Sequence, residues 1–180
     1  ITVAPGAYDA LKEYGMELLH QVPVIALEMN PQDEKRYTTE FPVVELQVEW
    51  NPQQSLEHAF ALFPAHRHVI VIGGCSASDR MFTSGILKAV SEFKETHQFS
   101  VLSCVSMDTI LDVVHHAGDS TLVFMSSLIF DADSNRFSSA MAISLVSSQS
   151  AVPVFTISDI FIDYGGLGGY VISFLDVGKR

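Results

Sequence analysis

The sequence predicts an α/β protein: a three-layer, Rossmann-like parallel sheet with helices on both faces. Three observations carry that prediction. Short apolar runs of strand length recur roughly every 25–30 residues with amphipathic stretches between them, which is the pattern of βαβ units. Right-handed crossovers between such strands place the connecting helices on both faces of the sheet. Apolar residues make up 48% of the 180-residue chain and charged residues 17%, a composition that buries a sizeable core and argues against disorder.

The elements follow in order. In residues 8–20, Tyr8, Leu11, Gly15, Leu18 and Leu19 fall on one helical face. Residues 22–27 form a short, buried, strand-like run, residues 30–33 a turn and residues 33–42 a polar irregular stretch. Residues 43–48 alternate as a strand. Asn51-Pro52 opens a helix with Leu56, Ala59, Phe60 and Phe63 on its apolar face, and Pro64 ends it. Residues 68–72 are a compact strand, and the small-residue loop Gly73-Gly74-Cys75-Ser76-Ala77-Ser78-Asp79 leads to a helix over residues 81–94. A strand over residues 99–105 is followed by Ser106-Met107-Asp108, which caps a helix over residues 109–116. Strand 121–126, a long loop 128–136, helix 137–148 and strand 152–157 come next. A glycine-rich stretch, residues 163–169, precedes a last strand over residues 170–174.

Charge and punctuation exclude several functions. The net charge is -11, with 10 basic against 21 acidic residues, so neither nucleic acid nor an anionic membrane is an expected partner. No apolar run approaches the length that spans a bilayer. The chain starts without Met and stops just after an apolar run. It therefore reads as a segment of a longer protein, with any targeting or membrane segment outside it. Gly73-Gly74 lacks the Lys-Ser/Thr pair of a phosphate-binding loop, and Gly165-Gly166-Leu167-Gly168-Gly169 lacks the dinucleotide-binding spacing. No cofactor is expected. These glycines instead permit a tight positive-φ turn or a close backbone approach. None of the seven histidines stands in a metal-ligand motif, and no metal is expected either.

In an open parallel sheet, ligands bind beyond the carboxyl ends of the strands, where the strand order switches direction. The segments following the predicted strands are residues 73–79, 106–108, 126–133 and 158–169, rich in hydroxyls, carboxylates and glycine. Each also reads as an ordinary connecting loop with a helix cap. Gly74-Cys75-Ser76-Ala77-Ser78 resembles a nucleophile elbow in its strand–turn–helix setting. It lacks the second glycine, and His115 and His116 end a helix away from the strand C-termini. Cys75 and Cys104 follow adjacent predicted strands. A disulfide is conceivable outside the cytoplasm, but two buried free thiols are favoured. Asp159 and Asp163 flank Phe161, with Phe130 and Tyr164 nearby in the candidate loops. Rings beside a carboxylate suit an amino-acid-like or cationic organic ligand, although Phe161 serves equally as a core filler.

The run His68-Val69-Ile70-Val71-Ile72-Gly73-Gly74, with its Ser-rich loop and helix, resembles the second lobe of the type I periplasmic binding protein-like family. The stretches Thr121-Leu122-Val123-Phe124-Met125-Ser126-Ser127-Leu128-Ile129-Phe130-Asp131-Ala132 and Val152-Pro153-Val154-Phe155-Thr156-Ile157-Ser158-Asp159, followed by Gly168-Gly169-Tyr170-Val171-Ile172-Ser173-Phe174, narrow the likeness. They resemble the ABC-transporter substrate-binding-like sensor regions of bacterial histidine kinases and diguanylate cyclases. The resemblance implies that residues 1–45 end a first lobe, residues 46–170 form the ligand-binding second lobe and residues 171–180 return toward the first.

It also implies a small organic, amino-acid-like ligand held between lobes in a periplasmic or extracytoplasmic region of a membrane-anchored protein. Hinge closure would signal to an output domain outside this segment. The ligand contacts carried over are Gly74, Cys75, Ser76, Ser126, Ser127, Ser158 and Asp159, to which the reading of the candidate loops adds Phe130. The segment itself is expected to be no enzyme. The alternatives are a solute-binding component of an ABC transporter, an α/β hydrolase-like enzyme and an interaction domain without a small ligand. An incomplete lobe exposes apolar surface, so a homodimer is a further expectation.

Overall fold

In this computed structural model, residues 2–3, 10–11, 13–15, 22–28 and 43–179 are described. The chain divides into two compact units, one of residues 1–50 and 175–180, the other Asn51–Phe174.

In the first unit, β1 (Thr2–Val3), β2 (Val24–Glu28) and β3 (Val43–Gln47) form a parallel sheet in that order, with Val24 opposite Val43. Val24 and Ala26 are fully buried. Of the helix predicted over residues 8–20, residues 10, 11, 13 and 14 are helical, and the Gly15 N–H donates to the Leu11 carbonyl. The rest of that helix, like the predicted turn and irregular stretch of residues 30–42, lies outside the described residues.

The second unit runs α1 (Pro52–Leu62), β4 (His68–Gly73), α2 (Ala77–Val90), β5 (Gln98–Ser103), α3 (Met107–His115), β6 (Thr121–Met125), α4 (Ser139–Gln149), β7 (Val154–Thr156). The mixed α/β class with parallel strands is as the alternation predicted. All four strands are parallel, in the order β5-β4-β6-β7. The β4–β5 crossover runs one way along the sheet, and the crossovers into β6 and β7 run the other. Right-handedness therefore sets α2 on one face and α3 and α4 on the opposite one. Covered on both faces, β6 is buried throughout and β4 from Val69 onward, which is why both read as unbroken apolar runs. Leu56, Ile86, Ile110, Val114, Ile143 and Val146 supply the helix side of the core.

Side-chain caps set the helix starts. Asn51 accepts from the Gln54 N–H with Pro52 in the first turn, and Ser106 and Ser138 cap α3 and α4 in the same way. The helix predicted over residues 81–94 begins at Ala77 instead, because Ser76 and Asp79 form a capping box, and it ends at Val90 before a 3-10 turn, Ser91–Phe93.

The strand predicted over residues 170–174 is corrected. Leu167 takes the edge of β7 first: its N–H donates to the Val154 carbonyl (2.7 Å) and its carbonyl accepts from Thr156 (3.1 Å). What remains is a single parallel bridge between Ser158 and Ile172, and a four-residue helix, α5, starts at Phe174. Gly165 makes the turn possible at φ 95, a region that costs a side chain and not glycine.

Candidate functional site

The sheet reverses its order of connection between the neighbouring strands β4 and β6. The chain leaving each of them departs in opposite directions, the arrangement at which open α/β sheets bind ligands beyond their carboxyl ends. The loop after β4 and the loop after β6 meet there and are bonded to each other. The Gly74 N–H donates to the Ser127 carbonyl and the Cys75 N–H to the Phe130 carbonyl, both at 2.8 Å.

Asp79 is the centre of this junction. It is fully buried, and its carboxylate accepts from the Ser127 hydroxyl at 2.6 Å, the Ser76 N–H at 3.0 Å and the Ile129 N–H at 3.1 Å. Burial pushes its pKa up, but hydrogen bonds from Ser127, Ser76 and Ile129 outweigh burial and hold the carboxyl below its usual value. Glycine is required beside it. A Cβ on Gly74 would collide with Asp79 Oδ2 and stand 2.8 Å from the Phe130 carbonyl. The space is filled by the protein itself. Behind this layer the Ser126 hydroxyl donates to the Ile72 carbonyl and lies 2.9 Å from the Thr83 hydroxyl, which donates to the Asp79 carbonyl.

A second carboxylate fastens the far end of the long loop. Asp131, 2% exposed, accepts from the Asn135 N–H (2.8 Å), the Asn135 amide group (3.1 Å), the Met107 N–H (3.2 Å) and the Asp133 N–H (3.0 Å). Here too burial raises the pKa, and the bonds from Asn135, Met107 and Asp133 more than offset it, so the group stays below its usual value. The Met107 contact ties this loop to the start of α3. The loops after β4, β5 and β6 thus form one connected rim.

A covalent link closes the same rim, and the expectation of free thiols is corrected. Cys75 and Cys104 form a disulfide across the ends of β4 and β5, with Cα atoms 4.5 Å apart. The positive φ of Cys104, 55, turns its side chain out of the strand path. Adjacent parallel strands put the two positions within reach, and that turn completes the approach.

The structure divides the residues marked from the sequence. Gly74, Ser126, Ser127 and Ser158 are buried, and the first three hold the rim together. Cys75, Ser76, Phe130 and Asp159 reach the surface, Phe130 with 37% of its area exposed. The Ser76 hydroxyl, the candidate nucleophile, accepts from the Asp79 N–H at 3.0 Å as a helix cap. Among the described residues, no hydrogen bond joins Ser158 or Asp159 to the residues of the β4–β6 rim. Asp159 instead lies at the start of a 3-10 turn, Asp159–Tyr164, beyond β7. Of the aromatic residues, Phe161 is a core residue and Tyr164 is exposed. No cluster of His, Cys, Asp or Glu able to hold a metal occurs among the described residues.

Asp79 and Asp131 are the residues the sequence reading missed. The capping-box spacing Ser76-x-x-Asp79 was a signal for the first. Asp131 in Asp131-Ala132-Asp133-Ser134-Asn135 had the composition of an Asx turn.

No family model matches the chain, and no curated protein matches it. In fold it is similar to a crystal structure described as the ABC domain in complex with L-Trp from Streptococcus pneumonia, with 18% sequence identity and a TM-score of 0.62. The similarity covers 97% of this chain and 59% of that one, so the chain spans under two thirds of the structure it matches.

Proposed function

We propose that the chain is a small-molecule-binding module, the sensing segment of a longer bacterial signalling protein, and that its ligand is amino-acid-like. The observation that carries the reading is the rim at the strand-order switch, where loops from three strands are fixed by Asp79, Asp131 and a disulfide. Such a preformed polar floor limits the ordering cost of binding. The exposed Phe130 ring, and the half-buried Asp159 carboxylate beyond β7, with only long contacts of 3.5 Å to Ser158 and Phe174, are the groups offered to an aromatic or aliphatic amine. The likeness in fold to a domain crystallised with L-Trp supports the same ligand class. The disulfide supports an extracytoplasmic location, where thiols oxidise and stay paired. Signalling follows if the ligand prefers one of two conformations of the parent protein, because only differential affinity shifts their populations. No catalytic step is assigned to the segment.

A panel of L-amino acids, beginning with L-Trp, tests this by thermal shift on the longest soluble form of the parent protein. At a hundredfold excess over Kd, linkage stabilises by about 2.7 kcal/mol, or roughly 5–10 °C for a domain of this size. Asp159→Ala and Phe130→Ala should each remove most of the shift. A panel with no hit, or hits indifferent to both substitutions, rejects the assignment. In the second reading the chain is a transporter's solute-binding component with the same site, and the fold likeness serves it equally. It is separated by whether the ligand changes the activity of an output domain in the parent protein.

A further inference from the structure

The opposite end of the same sheet holds a hollow of about 400 Å³, lined by Arg67, His68, Lys94, Glu95, Thr96, His97, Gln98 and Ser120. Its size falls within the range of small-molecule pockets, but its lining is polar. The backbone builds it firmly. The Arg67 N–H donates to the Ser120 carbonyl (3.0 Å), and the Arg67 carbonyl accepts from Gln98 (2.7 Å), which brackets Arg67 between the starts of β5 and β6. His68 is committed, with one ring nitrogen 2.8 Å from the Ser100 hydroxyl and the other 3.4 Å from that of Thr121.

His97 is not committed in the same way. It is 8% exposed, its ring stacks on Phe60 at 3.7 Å, and its Nδ1 lies 2.8 Å from the Thr96 hydroxyl. Its Nε2 is buried with no hydrogen-bond partner, an uncompensated cost in a finished protein. Burial and then the Arg67 guanidinium lower its pKa, so the imidazole is held neutral beside that positive charge. Neither Arg67 nor Lys94 makes an ion pair with any described carboxylate, Glu95 of the lining included. Arg67 and Lys94 against Glu95 leave this lining net positive in a chain of net charge -11, which suits a bound anion.

We propose that this hollow is a binding site for a compact oxyanion of the phosphate class, free or as a monoester, with Arg67 and Lys94 as its charged anchors. A guanidinium offers a planar fork that matches phosphate oxygens, and an ammonium adds a point charge. Thr96, Gln98 and Ser120 supply neutral donors around them. The volume leaves room for an organic substituent. The site is independent of the ligand rim at the other end of the sheet.

Calorimetric titration with inorganic phosphate and with glycerol phosphate, each against sodium chloride of equal ionic strength, tests it. Saturable binding is expected, weakened at least tenfold by R67Q/K94Q and likewise by S120D, which sets a carboxylate in the hollow. The charge-matched control K88Q/R136Q, both positions exposed, in the same unit and outside the lining, should bind as the parent does. Tighter binding of one probe tells free phosphate from the ester, and either supports the site. Absence of saturable binding, or equal weakening in the control, overturns it. All substituted residues are exposed, and circular dichroism confirms that each variant is folded.

Discussion

At Asp79 one side chain does two jobs. It completes the cap of α2 and it anchors the loop after β6, so Asp79→Ala would leave the buried Ser127 hydroxyl and two half-buried backbone N–H groups, of Ser76 and Ile129, without this acceptor. At roughly 1–3 kcal/mol for each such group, a loss of about 3 kcal/mol or more is expected, seen as a lower midpoint in urea unfolding with unchanged slope. A second expectation concerns acid. Asp79 and Asp131 both titrate below the usual carboxyl value of 3.8. Their stabilisation is fully present above that pH and is lost as the pH falls below it, through the folded-state values. Stability should therefore hold down to about pH 4 and fall beneath it, and D79N should flatten that fall. Half of this was legible. The spacing Ser76-x-x-Asp79 announces a cap, but the bond to Ser127 spans 48 residues, and no local pattern encodes it. Likewise Ser126 and Ser127 look like ligand-facing hydroxyls in the sequence, whereas burial turns both hydroxyls inward.

At the scale of elements, the disulfide staples β4 to β5 and closes a loop 29 residues long. Chain entropy alone gives it about 3–4 kcal/mol. Reduction, or C75A/C104A, should lower the thermal midpoint by several degrees. A midpoint insensitive to reductant would mean that the bridge contributes nothing. The central strands were readable because a sheet covered on both faces leaves no polar alternation to confuse. The edges were not. Residues 170–174 are apolar enough for a strand, but the glycine run lets Leu167 occupy β7 first, and competition for one edge is invisible in composition. The cysteine pairing hung on a 4.5 Å Cα separation and a positive φ, which are geometric facts and not sequence ones.

At the scale of the molecule, the Asn51–Phe174 unit has its own four-stranded sheet, helices on both faces and an apolar core. Expressed alone, this segment should unfold in one cooperative transition by circular dichroism. A gradual melt would show that its core needs the remainder of the chain. The rim also has a kinetic meaning. Gly74, Cys75 and Ile129 are loop residues by sequence, yet their N–H groups are bonded to the Ser127 carbonyl, the Phe130 carbonyl and the Asp79 carboxylate. Their amide hydrogens should therefore exchange with solvent more slowly than those of unbonded loops, because each is released only when the two loops part.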